Sequence, residues 1–127
     1  MTGALQQAER DFLEQYLEWL IIVEEGLRSV TSFYHDNLTE NGDRLLKQMM
    51  DGFTPFSPEN MTMQQVFGRE EETTAVMEKF YEKVLQAAKM AEHEEGSRQE
   101  RMQMVAGELL PIFQRWKLLV DSRRNRE

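Results

Sequence analysis

Residues 12–33 read FLEQYLEWLIIVEEGLRSVTSF. Within them Phe12, Tyr16, Trp19, Val23, Gly26, Val30 and Phe33 recur alternately four and three positions apart. Two further stretches keep the same rhythm: Met77, Phe80, Val84, Ala87 and Ala91, then Met102, Val105, Leu109, Ile112, Trp116 and Leu119. A mean step of about 3.5 residues holds side chains on one side of an α-helix, whereas a strand would alternate every second residue. Three long helices with continuous apolar seams therefore set the fold class as all-α. The expected architecture is an up-down helical bundle of these three helices plus a fourth arm broken into two short ones.

The chain has 127 residues, 40% of them apolar. That is enough for one core and too little for two, so residues 1–127 form a single domain. The first helix should run over about 4–36. Leu13, Leu17, Leu20 and Leu27 add a second stripe beside its seam, and Trp19 to Val23 is apolar on most sides, as suits a central member of a bundle. Gly26 lies on the seam, where a missing side chain lets another helix approach closely.

A turn over 37–42 offers Thr39 or Asn41 as an N-cap for a short helix at 40–51, which Gly52 would stop. Pro55 then forbids simple continuation, and Ser57-Pro58-Glu59 is the favoured order for restarting a helix, expected over 58–67. Long helices at 69–95 and 97–124 complete the chain. Glu94 could pair with Arg98 if these two ran on as one helix, which would favour a dimer made by exchanged arms. Against that, the seam lapses between Ala91 and Met102, and Gly96 precedes a Ser97/Glu100 capping box, so a turn is predicted. Pro111 should kink the last helix by crowding the Gly107 carbonyl.

Catalytic and metal signatures are not legible. There is no cysteine, which removes thiolate ligands and cysteine nucleophiles. Di-iron bundles need Glu-x-x-His, yet Ser32 and Met90 stand three residues before His35 and His93. The seven glycines are scattered singly and form no phosphate loop. Carboxylates one turn apart, such as Glu14 and Glu18, read as a solvated face. No enzymatic activity, cofactor or metal is expected.

Residues 1–97 carry 8 basic and 19 acidic side chains, against 7 and 4 in residues 98–127. So acidic a body repels phosphate backbones and anionic headgroups, which argues against nucleic-acid or membrane binding. Solubility accounts for the excess, and a basic partner is the sharper alternative. The longest apolar run, Trp19 to Val23, is far too short to span a bilayer, and the first residues lack the pattern of a signal peptide. A cytoplasmic protein is expected.

Nine methionines are many for this length. Ordinary core filling is one reading. The other is an adaptable binding surface, because the unbranched thioether repacks against varied partners. Residues 49–67 concentrate four methionines and three phenylalanines in the broken arm. The partner-binding residues expected there are Phe53, Phe56, Met61, Met63 and Phe67, forming an apolar groove for an amphipathic helix.

In size, acidity, helicity and methionine content the chain resembles the flagellar and type III export chaperones, with Tyr16-Leu17-Glu18-Trp19-Leu20 and Glu24-Glu25-Gly26-Leu27 adding to the likeness. That resemblance implies a chaperone or adaptor holding an aggregation-prone partner helix, and it assigns no role to any single residue. Two alternatives stay open. One is a bundle binding a small hydrophobe around Trp19, Phe80 and Trp116; the other is a structural homodimer formed by self-association.

Overall fold

The computed structural model describes residues 2–94 and 96–125, and every regular element among them is helical. Helix α1 spans Thr2–His35, α2 Thr39–Asp51, α3 Met61–Phe67 and α4 Glu71–His93. A single 3-10 turn, Thr54–Phe56, separates α2 from α3, so the second arm is broken where two prolines remove backbone donors. The last arm is one unbroken rod in three parts: α5 (Arg98–Met102), a π-helical stretch (Gln103–Leu109) and α6 (Leu110–Asn125).

Helices α1 and α4 each pack on α2 and on the last arm. Pairs between α1 and the last arm run in opposite senses along the two, from Glu9–Arg123 through Tyr16–Trp116 to His35–Arg98. These two are therefore antiparallel. The turn between α4 and α5 forms as the sequence predicts. Glu94 and Gly96 take left-handed backbone conformations, with φ of 51° and 91°. Ser97 then caps α5: its Oγ accepts from the Glu100 amide at 3.1 Å, and the Ser97 amide donates to the Glu100 carboxylate at 2.9 Å.

Several expectations need correction. Leu38, not Thr39 or Asn41, occupies the cap position of α2 and offers no side-chain bond. Helix α3 begins three residues later than the proline pattern predicts, because Asn60 Oδ1 reaches the amides of Thr62 (2.8 Å) and Met63 (3.2 Å). Pro58 is left in the preceding turn. Pro111, as expected, does not break the last helix; the backbone widens into the π stretch, Gln103–Leu109, immediately before it.

That widening also changes the buried face. Arg101, Val105, Leu109 and Phe113 are buried at steps of four, followed by Trp116 and Val120, while Met102, Ile112 and Leu119 sit half-buried at the edge. On α4 the whole predicted seam from Met77 to Ala91 is buried. On α1 the centre of the buried stripe is Leu13, Tyr16, Leu20, Val23, Leu27, Val30 and Tyr34. Nor is α1 enclosed. With neighbours on two flanks only, its outer side meets solvent and leaves Ile21 50% and Ile22 58% exposed.

The α1–α2 contact is built on three glycines. A Cβ at Gly26 would fall on the Met49 sulfur, as expected for a close approach on the seam. At Gly42 a Cβ would lie 2.5 Å from the Tyr34 ring, and at Gly52 2.5 Å from the Trp19 indole. The three side chains fill the three gaps in antiparallel order. Gly52 thus serves packing; its φ of −66° is ordinary helical backbone that any residue adopts.

Candidate functional site

The five residues expected to form a partner groove do not line one. Phe53, Met63 and Phe67 are buried. Phe53 meets Phe80 edge-on with ring centres 5.2 Å apart, and Phe67 meets Trp116 at 4.9 Å. Phe56 is half-buried on Tyr16, at 4.8 Å. Met61 alone stands in solvent, 74% exposed. The breaks around Gly52 and Pro55 turn the second arm's apolar residues inward, so the burial that sequence periodicity could not assign there goes to the core.

The suspected hydrophobe pocket is likewise occupied by side chains. Phe80 stacks over Trp116 at 6.4 Å and packs on Phe113 at 5.9 Å. Trp116 Nε1 donates to the Tyr16 hydroxyl at 2.8 Å. Trp19 packs on Phe53 at 5.6 Å, and its buried Nε1 has no acceptor. Aromatic rings fill the region among the three predicted residues.

The apolar surface lies elsewhere. Between α1 and α6 runs an open groove of about 530 Å³, walled by Leu17, Ile21 and Glu24 on one side and by Gln114, Lys117 and Leu118 on the other. Leu118 is 71% exposed. The groove's own charges are paired. Lys117 Nζ donates to Glu24 Oε1 at 2.7 Å, and Arg124 meets Asp121 at 3.0 Å. The Lys117 hydrogen bond holds the Glu24 carboxyl below its ordinary pKa against a smaller opposing effect of burial. Ile21 and Leu118 thus stand as uncovered aliphatic side chains among satisfied ions.

A larger open cleft of about 690 Å³ lies between α4 and the α5–π segment. Its acids are already engaged: Glu100 caps α5, and Glu108 accepts from Lys83 at 2.8 Å. With uncovered aliphatic side chains on both walls, the α1–α6 groove is the candidate site. Little in the sequence signals it: Ile21-Ile22 and Leu118-Leu119 are adjacent apolar pairs, but so are Val76-Met77 and Met90-Ala91, and those are buried together.

Among the described residues no group of three His, Asp or Glu side chains could hold a metal ion, and no helix is long and apolar enough to cross a membrane. No curated protein and no solved structure matches the chain. Residues 11–119, from the third turn of α1 into the middle of α6, match the family described as Domain of unknown function (DUF8042), and the chain belongs to that family.

Proposed function

We propose that this protein is a non-enzymatic protein–protein interaction module, a chaperone or adaptor. In this reading it is an up-down bundle that receives the apolar face of a partner helix in the groove between α1 and α6. The observation that carries the reading is the exposure of Ile21 and Leu118 on the two walls of one groove; the other exposed large apolar side chains, Ile22, Leu38, Met61 and Leu85, are not among its lining residues. Adjacent exposed aliphatic residues rimmed by polar groups are characteristic of helix-in-groove recognition. The chaperone form agrees with the likeness in size, acidity and methionine content to the flagellar and type III export chaperones. A cysteine-free chain suits a cytoplasmic setting.

The test is the double variant Ile21→Asp and Leu118→Asp. Both positions face solvent, so helix content and melting should stay as in the parent while a protein captured from the native cell is lost. Unchanged capture would remove the groove from consideration. If the parent sediments as a dimer and the variant as a monomer, the groove is a self-interface instead.

A further inference from the structure

We infer that the helix taken by this groove is basic along the edge that lies over α1, so the surface selects cationic amphipathic helices. This rests on the groove reading above and adds the chemistry of the occupant. From Glu14 to Glu25 every charged residue of α1 is acidic: Glu14, Glu18, Glu24 and Glu25. Glu24 is compensated by Lys117 at 2.7 Å and Arg28 at 3.9 Å. Glu14, Glu18 and Glu25 are exposed, and among the described residues they have no ion-pair partner.

Their positions matter more than their number. Glu14, Glu18, Ile21 and Glu25 follow one another at four, three and four residues, which is one stripe of a helix. The exposed isoleucine of the groove therefore sits in line with three unpaired carboxylates. At 1.5 Å per residue the stripe is about 16 Å long, so each charge lies within roughly one or two Debye lengths of the others at physiological salt. On the opposite wall Leu118 has Gln114 one turn before and Ser122 one turn after, and the charged residues of α6 that line the groove are already paired, Lys117 with Glu24 and Arg124 with Asp121. Basic residues close to α1's stripe, Arg10 and Arg28, occur only beyond its two ends.

A helix laid in the groove thus meets aliphatic groups below, unpaired carboxylates along one edge and, along the other, polar groups whose charges are already paired. Lys or Arg on the first edge would relieve the repulsion among Glu14, Glu18 and Glu25. Glu or Asp there would add to it.

Two synthetic amphipathic helices of about eighteen residues, long enough to cover the stripe, test this. Both carry the same leucine face, one flanked by lysine and the other by glutamate, and binding is read by fluorescence anisotropy. The lysine peptide should bind the parent at least about tenfold tighter at low salt, and the advantage should shrink as salt rises. Glu14→Gln, Glu18→Gln and Glu25→Gln together should erase the difference. Glu78→Gln, Glu82→Gln and Glu92→Gln, an equal change of charge on α4, should leave it. Ile21→Asn with Leu118→Asn should weaken both peptides.

Equal binding of the two peptides, both lost with the asparagine variant, would overturn the charge inference and keep the groove. Binding of either peptide that survives the asparagine variant, or no binding to the parent, would overturn the groove itself. An equal loss from the α4 triple variant would reduce the preference to general attraction by an acidic body and overturn the inference.

Discussion

Asp43 and Arg101, 58 positions apart, face each other in the interior: Arg101 donates from Nε to Oδ1 at 3.0 Å and from Nη2 to Oδ2 at 2.9 Å. Both are buried. The Tyr34 hydroxyl donates to the same Oδ1 at 2.6 Å, and Arg101 Nη1 donates to the Gly96 carbonyl. One cluster therefore ties α1, α2 and α5 to the turn after α4. Hydrogen bonding to Asp43 raises the pKa of Arg101, keeping it charged despite burial.

A half-broken pair should be worse than none. Arg101→Met leaves Asp43 charged and uncompensated and should cost about 3–5 kcal/mol in urea unfolding. The triple change Arg101→Met, Asp43→Leu and Tyr34→Phe should recover most of that loss. A single-variant cost below about 1 kcal/mol would mean that the cluster contributes little.

The glycine contacts give a second expectation. Gly26→Ala places a methyl on the Met49 sulfur and should destabilise by about 1–3 kcal/mol, despite alanine's better helix propensity. Met49→Ala clears that space, so the two changes together should cost less than their sum. Strict additivity in the double-mutant cycle would deny the contact.

Tyr16→Phe leaves Trp116 Nε1 in the core without its acceptor, since the present bond is 2.8 Å and both residues are buried. A loss of about 1–3 kcal/mol is expected, with altered near-ultraviolet circular dichroism from Trp116. Tyr81→Phe, on a half-buried position without such a bond, serves as the control.

Alkali should unfold the protein through its buried phenols. Burial raises the pKa of Tyr16, partly opposed by its bond from Trp116. Burial and then the hydrogen bond to Asp43 raise that of Tyr34. A raised pKa means that the folded form holds protons which the unfolded chain gives up. Their contribution is complete below about pH 10 and falls away above it. Urea midpoints should drop steeply as pH rises above about 10, and less steeply in the Tyr16→Phe, Tyr34→Phe variant. At the acid end the sign reverses. Glu24, with its lowered pKa, stabilises above the carboxylate range and loses that contribution as pH falls through its folded value. Lys117→Met should flatten this acid limb.

Periodicity made the helices legible because burial on one side of a helix must repeat every three or four residues. The α4 seam from Met77 to Ala91 was readable to the residue, and so was the Ser97 capping box, which involves only neighbours. Local chemistry also competed with itself: Ser57-Pro58-Glu59 offered a plausible start for α3, but Asn60 reaches two amides and takes that role. In the broken arm no period of sufficient length existed, and Phe53, Met63 and Phe67, expected to line a partner groove, lie instead in the core.

By itself the sequence determined an all-helical chain, where its helices turn, and its lack of a recognisable catalytic motif, since each depends on residues within a turn or two of one another. Tertiary structure decided which apolar residues remain uncovered. The groove of Ile21 and Leu118 exists because α1 has neighbours on two flanks only, and the pairing of Asp43 with Arg101 because separate arms bring them together. Neither fact is local, and no pattern along a single helix records how many others will pack against it.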